Sequence, residues 1–110
     1  MEKFIKGDVV VIPFPYSNLS NSKRRPALVI AESSYTEIIL CQITSQKIKD
    51  NSAILLSEND FNHGTLHKTS NIRPNKIFTA ESSIILYKVG SLKEQKVKEV
   101  TDTIILILQK

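Results

Sequence analysis

The chain has few of the residues that build disulfide scaffolds, membrane spans or aromatic binding platforms. Of its 110 residues one is cysteine and none is tryptophan, and aromatic residues make up 6%. The single Cys41 cannot form an internal disulfide, and its apolar neighbours predict a buried thiol rather than a catalytic one. No apolar run approaches the roughly 20 residues of a membrane-spanning helix, and the first six residues lack the apolar core of a secretory signal. We therefore expect a cytoplasmic protein that does not enter membranes.

The remaining composition is that of an ordinary folded domain. Hydrophobic residues make up 41% and charged residues 24% of the chain, which excludes the disordered and collagen-like classes. No repeat or low-complexity tract interrupts the sequence, so it predicts a single domain over residues 1–110. The net charge of +4 favours polyanionic partners without identifying one, because many basic proteins bind no nucleic acid.

Short apolar runs separated by turn residues predict a mainly β protein. Predicted strands cover residues 7–14, 25–31, 35–44, 69–73, 76–79 and 84–89, with a short apolar run at 53–57 and a turn-rich connector at 59–64. The continuous apolar run at 9–12 predicts a strand buried on both faces. The strands at 25–31 and 35–44 should form a hairpin, because only a short turn separates them.

The end of the chain changes to helical periodicity. Apolar residues recur at helical spacing over 97–108, and Ser91 with Glu94 has the form of a capping box, which predicts that a helix starts at Ser91. Extra apolar residues at 105–107 indicate a contact between subunits. Many short strands followed by one helix are typical of a small curved antiparallel sheet or barrel with a helix packed against it.

Two arginines stand at the start of a predicted strand. Arg24 and Arg25 come directly before a proline and an apolar run. A guanidinium held on a strand is an ordered fork of hydrogen-bond donors that suits a phosphate. In the next strand side chains alternate, so Gln42 and Thr44 share one face and Thr44 emerges where the strand ends.

Three separated patches together resemble the MazF/PemK family of toxin endoribonucleases. They are GDVV at 7–10 with PFP at 13–15, RPALVI at 25–30 with ITS at 43–45, and SNIRPNKIFT at 70–79. The resemblance covers nearly the whole chain. It implies a mainly β fold with α, namely an SH3-like partly open antiparallel β-barrel with a C-terminal helix, assembled as a homodimer. It also implies a cognate antitoxin whose acidic tail covers a basic groove.

The activity that the resemblance implies is sequence-specific cleavage of single-stranded messenger RNA, which inhibits translation. The 2′-OH attacks the adjacent phosphorus and leaves a 2′,3′-cyclic phosphate and a 5′-hydroxyl, and this chemistry calls for no metal and no cofactor. The family's catalytic arginine and threonine map onto Arg25 and Thr44. Arg25 would stabilise charge on the phosphoryl oxygens, and Thr44 would donate its hydroxyl to a non-bridging oxygen.

Further polar and cationic residues are candidates for RNA binding. They are Arg24, Ser45, Gln46, Arg73, Asn75 and Lys76. None of the assigned residues is a good general base, because arginine stays protonated and a threonine hydroxyl is weakly basic. Some relatives have an aspartate where this chain has Asn75, whose amide cannot accept the proton. The identity of the base therefore stays open.

Other interpretations remain open from the sequence. A gyrase-inhibiting toxin of the same fold calls for a tryptophan-containing C-terminal tip, which this chain lacks. A non-catalytic SH3-like RNA-binding module is the stronger alternative, and the amide at Asn75 supports it. Without the resemblance, Arg25 reads as a solvated charge that pairs across the hairpin, and Thr44 as a strand-end residue. We interpret His63 and His67 as solvated loop residues rather than as metal ligands or an acid–base pair.

Overall fold

A curled antiparallel sheet and one helix make up the fold. The computed structural model describes residues 3–14, 23–47 and 50–110, so the loop predicted after the first strand lies outside the described residues. The strands are β1 (Asp8–Phe14), β2 (Lys23–Glu32), β3 (Glu37–Thr44), β4 (Ile54–Leu56), β5 (Phe61–Gly64), β6 (Ser70–Glu81) and β7 (Tyr87–Leu92), and the helix is α1 (Glu94–Leu108). Their spatial order is β4-β6-β3-β2-β1-β7-β5, with every pair antiparallel. The predicted mainly β, partly open barrel with a C-terminal helix is confirmed.

The two faces of the sheet each carry a hydrophobic cluster. Alternate residues of β1 show this directly, because Val9 belongs to one cluster and Val10 to the other, and both are fully buried. The first cluster also contains Val100 of α1, so the helix covers that face. The prediction that β1 is buried on both faces is confirmed. In the part of the chain described, no helix is long and apolar enough to cross a membrane.

A wide bulge divides the pairing of β3 with β6. Cys41 pairs with Ile77, whereas the next residue, Gln42, pairs with Arg73, so residues 74–76 have no partner on β3. Pro74 is suited to this position because it has no N–H to donate to a ladder. The two strands predicted at 69–73 and 76–79 are therefore one strand with an insertion, in which Pro74 is fully buried.

The predicted capping box at the start of the helix is wrong. Ser91 lies in β7, where it pairs with Asp8 on one side and His63 on the other, and Lys93 occupies the N-cap of α1. Pairing on both sides holds Ser91 in the sheet, so the helix begins only at Glu94. Tertiary pairing has overridden a local signal here.

The predictions for residues 59–64 and 84–89 also need correction. The segment predicted as a connector at 59–64 contains a short 3₁₀ turn, Glu58–Asp60, and then β5, which pairs with β7. The strand predicted at 84–89 is a 3₁₀ turn at Ser82–Ile84 followed by β7. Short strands with polar residues lack the alternation on which strand prediction depends.

The Gly7–Asp8 step anchors the chain before β1. Gly7 has a φ of 100°, which suits glycine alone, and its N–H donates to Val29 O at 2.9 Å. The Asp8 side chain is 2% exposed. Its Oδ2 accepts the Ile5 N–H at 2.9 Å, and its Oδ1 lies 3.6 Å from Lys88 Nζ. This part of the first family patch therefore serves the fold.

Replacing Asp8 with alanine should lower the free energy of unfolding by about 1.5–3 kcal/mol, because the Ile5 N–H loses its charged acceptor and Lys88 loses its ion-pair partner. Equilibrium denaturation in urea measures the change. The exposed Asp102, which pairs with Lys98 at 2.8 Å on the helix surface, provides a matched control, and its replacement by alanine should change stability little. Equal effects of the two substitutions would contradict the structural role of Asp8.

Candidate functional site

Two neighbouring strands bring Arg25 and Thr44 to the same end of the sheet. The ladder between β2 and β3 begins with Ala27 opposite Gln42, and the same register continued by two residues puts Arg25 opposite Thr44. Because alternate residues share a face, both side chains lie on the face of Ala27 and Gln42. Opposite residues on one face have Cβ atoms about 4.5–5.5 Å apart. One phosphate group can therefore contact both side chains.

β6 adds a second arginine to the same face. It pairs with the other side of β3, with Asn71 opposite Thr44 and Arg73 opposite Gln42. Directly paired residues point to the same side of an antiparallel sheet, so Arg73 shares the face of Thr44 and Arg25. The three adjacent strands β2, β3 and β6 therefore place the guanidinium groups of Arg25 and Arg73 on one face. The Thr44 hydroxyl and the amides of Gln42 and Asn71 lie on the same face.

The Thr44 hydroxyl is fixed by the turn that follows β3. Thr44 is 6% exposed, and its Oγ1 accepts the backbone N–H of Gln46 at 3.2 Å. A hydroxyl has one proton to donate and two lone pairs to accept with. Because the turn uses a lone pair, the hydroxyl proton remains available to an oxygen bound beside it.

An aspartate that no motif marks lies beside Arg73. Asp50 Oδ2 is 3.5 Å from Arg73 Nη2, and the two side chains are 17% and 23% exposed, respectively. Asp50 Oδ1 accepts the Ser52 N–H at 3.0 Å. The carboxylate of Asp50 therefore connects the backbone at Ser52 to Arg73 of β6.

The pKa of the Asp50 carboxyl is lowered from its ordinary value. The hydrogen bond from the Ser52 N–H is the largest cause, burial opposes it, and Asn75 and Arg73 lower the pKa further. A carboxyl with a depressed pKa stabilises the folded protein above its unfolded pKa, and this contribution is lost as the pH falls through the folded pKa. Asp50 is therefore a charged partner of Arg73 throughout the neutral range.

The other predicted site residues lie at the edges of this surface or away from it. Ser45 and Gln46 follow β3 in an exposed bend, and Lys76 is exposed on the bulge of β6. Arg24 is also exposed, but it alternates to the face opposite that of Arg25. Of the predicted residues, Arg25, Thr44 and Arg73 therefore share one face.

The cysteine and the histidines do not add a reactive group to the surface. Cys41 is fully buried, and burial raises the pKa of its thiol to about 12, so it stays protonated at neutral pH. This agrees with the predicted buried thiol. His63 is exposed on β5, at the far edge of the sheet from β6, and His67 is exposed in the turn before β6. No metal-binding group of three or more His, Cys, Asp or Glu occurs among the described residues.

Two cavities of about 610 and 510 Å³ lie on the described part of the molecule, one beside the turn between β2 and β3 and one against the first turns of α1. Neither is lined by a candidate site residue.

Sequence patterns missed Asp50 and Asn71. Asp50 meets Arg73 across 23 positions of the chain and lies outside the described strands and helices, so no periodicity marks it. Asn71 lies within the third family patch, and only the register between β3 and β6 shows that it is opposite Thr44. In the sequence, only the polarity of these two side chains indicated that they could belong to a site.

The fold is a small SH3-like barrel, because a curled seven-stranded sheet is followed by one terminal helix. Its central strands carry the cationic and polar side chains described above. The sequence over residues 5–108 matches the family described as PemK-like, MazF-like toxin of type II toxin-antitoxin system. The chain belongs to that family.

Solved structures share the fold across the full length of the chain. An endoribonuclease in complex with its cognate antitoxin, from a mycobacterial species, has a TM-score of 0.76 at 12% identity and covers 99% of this chain and 96% of its own. MazF from Deinococcus radiodurans has a TM-score of 0.76 at 17% identity, with 100% of both chains covered. Mycobacterium tuberculosis toxin MazF-mt6 has a TM-score of 0.72 at 12% identity, covering 93% of this chain and 96% of its own. No curated protein sequence matches the chain.

Proposed function

We propose that this family member is an endoribonuclease toxin that cuts single-stranded messenger RNA at specific short sequences and so inhibits translation. The observation that carries the proposal is the shared face of Arg25 and Thr44 at the ends of two paired strands. Membership of the toxin family supports it, as do fold neighbours that are themselves endoribonucleases.

The proposed reaction uses the nucleophile that RNA carries. The 2′-oxygen bonds to the adjacent phosphorus while the bond from phosphorus to the 5′-oxygen breaks, which gives a 2′,3′-cyclic phosphate and a 5′-hydroxyl. The 2′-OH gives its proton to solvent water, and solvent water in turn protonates the leaving 5′-oxygen, because none of the assigned residues is a good general base. Negative charge grows on the non-bridging oxygens, where Arg25 supplies positive charge and Thr44 donates a hydrogen bond. Arg73 is a second cation on the same face.

The proposed partners follow from the charge and exposed apolar residues of the chain. A net charge of +4 suits both RNA and an antitoxin whose acidic tail covers the same surface, and two of the fold neighbours are bound to antitoxins. The protein would act in the cytoplasm, where its messenger RNA substrate is found. The residues proposed to bind RNA around Arg25, Thr44 and Arg73 are Ser45, Gln46, Asn75 and Lys76. Arg24, on the other face of β2, is proposed as a phosphate contact.

A homodimer is part of the proposal. The outer side of α1 exposes large apolar residues, with Ile105, Leu106 and Leu108 being 46%, 63% and 74% exposed. A second copy covering them would remove this apolar area from water. Sedimentation equilibrium at micromolar concentration tests the assembly, and a single monomeric species would contradict it.

Cleavage of a mixed-sequence single-stranded RNA in excess EDTA tests the activity. We expect cuts at a recurring short motif, with cyclic-phosphate and 5′-hydroxyl ends identified by end-group labelling and sequencing. Cuts that EDTA abolishes would overturn the metal-independent mechanism. RNA that is bound but stays intact would instead establish the non-catalytic RNA-binding module.

Replacing Thr44 with valine should lower kcat for RNA cleavage about 100-fold, with little change in KM, because one donor to the developing charge is lost while the side-chain volume is kept. Thr44→Ser retains the hydroxyl and should retain most of the activity. Steady-state cleavage of a short fluorogenic RNA measures both variants. Thermal unfolding should first show that both variants are folded. A wild-type kcat in Thr44→Val would then show that the hydroxyl takes no part in the reaction.

A further inference from the structure

We propose that Asp50 is a positioning residue for RNA cleavage, whose carboxylate orients the Arg73 guanidinium on the face shared with Arg25 and Thr44. The inference rests on the proposed endoribonuclease function. It assigns a role to a residue that lies outside the three family patches.

Asp50 is itself well anchored. Its Oδ1 accepts the Ser52 N–H at 3.0 Å, which fixes the carboxylate to the backbone of its own connection. Its Oδ2 lies 3.5 Å from Arg73 Nη2. A carboxylate with a separate partner on each oxygen is held in one orientation, so it can impose one orientation on Arg73.

Arg73 depends on such a partner. Its side chain is 23% exposed, and among the described residues its buried Nε has no hydrogen-bond partner. Burying part of a cation is costly unless it is paired. Asp50 is its ion-pair partner within the described part of the chain. Loss of Asp50 would leave a partly buried cation unpaired and free to turn away from the substrate face.

The contacts favour positioning over proton transfer. Both carboxylate oxygens of Asp50 are engaged, one by Ser52 and one by Arg73. A general base works best when its pKa lies near the operating pH, whereas the pKa of the Asp50 carboxyl is lowered, first by the Ser52 N–H. The Asp50 carboxylate therefore serves to hold Arg73 rather than to accept a proton.

A double-mutant cycle tests the inference. Asp50→Ala, Arg73→Ala and the double variant are compared with the wild-type protein in steady-state cleavage of a short single-stranded RNA. We expect Asp50→Ala to lower kcat about 10-fold with KM changed less than threefold. The double variant should be no slower than Arg73→Ala, because residues that act through one another have non-additive effects.

Control variants separate positioning from charge and from base catalysis. Asp102→Ala removes an exposed, ion-paired carboxylate on the helix and should leave kcat unchanged, whereas Asp50→Glu should restore part of the lost rate. Positioning also predicts that Asp50→Ala lowers kcat by the same factor from about pH 5.5 to 8.5, whereas loss of a general base changes the shape of the profile.

The outcomes distinguish this inference from the proposed function. Wild-type protein that leaves RNA intact would overturn both. Wild-type cleavage with Asp50→Ala equally active, or with the two single effects multiplying in the double variant, would overturn the positioning role alone. A changed pH profile in Asp50→Ala would replace positioning with proton transfer.

Discussion

Replacing Arg25 with alanine should lower kcat for RNA cleavage about 100- to 1,000-fold. Arg25 is the cation that lies opposite Thr44 when the β2–β3 register is continued. Preorganised donors to a developing oxyanion are usually worth factors of this size. Arg25→Lys keeps the charge but loses the planar fork of donors, so it should fall between the alanine variant and the wild type. Single-turnover cleavage of a defined RNA measures the chemical step directly.

Lys98→Ala is the matched control for the lost charge. Lys98 is an exposed cation on the outer surface of α1, where it pairs with Asp102. Its removal lowers the net charge as much as the Arg25 substitution does, so any loss of RNA attraction at long range is common to both. We expect wild-type kcat in this control. An Arg25→Ala variant within threefold of wild type, with folding retained, would end the catalytic assignment.

The hairpin that carries Arg25 and Thr44 was accessible from sequence because it is local. A short turn separates its two apolar runs, and the hairpin predicted from residues 25–44 is present as β2 and β3. The choice of Arg25 and Thr44 within it came from the family resemblance, and their shared face follows from the register that the structure gives.

The rest of the site depends on contacts that sequence patterns do not encode. Arg73 reaches the face through the register between β3 and β6, and that register shifts at the bulge. Asp50 lies outside the described strands and helices, and its only sequence feature is polarity. Sheet register is set by packing and by turn geometry together, so neither position could be assigned from one strand alone.

The family patches divide between fold and chemistry. Gly7 and Asp8 in the first patch are tied to the N-terminal turn and to β2, four residues or more along the chain from Ile12, which pairs with Arg25. Arg25 and Thr44 in the second patch share one face of β2 and β3. A family resemblance therefore does not distinguish residues that stabilise the fold from residues proposed for chemistry. The hydrogen bonds of Gly7 and Asp8 show that these two stabilise the fold.

A large stability effect should come from Gly90→Ala. β5 and β7 approach so closely that a Cβ on Gly90 would overlap the His63 carbonyl oxygen and would lie 3.0 Å from Gly64 Cα. Both obstacles are backbone atoms, so relief requires β5 to move away from β7. Overpacking of this kind typically costs up to about 3 kcal/mol, which for a domain of this size lowers Tm by roughly 10–20 °C. Calorimetry or urea denaturation measures the loss.

Ser91→Ala, on the same strand and opposite His63, is the control, because it removes a hydroxyl and adds no volume. It should change the free energy of unfolding by less than about 0.5 kcal/mol. The same comparison separates stability from catalysis, since β5 and β7 lie at the other edge of the sheet from β3 and β6. Below its unfolding transition, Gly90→Ala should therefore cleave RNA with nearly wild-type kcat. A stable Gly90→Ala protein would mean that the two strands are farther apart than described, and a folded but inactive one would mean that this edge takes part in the reaction.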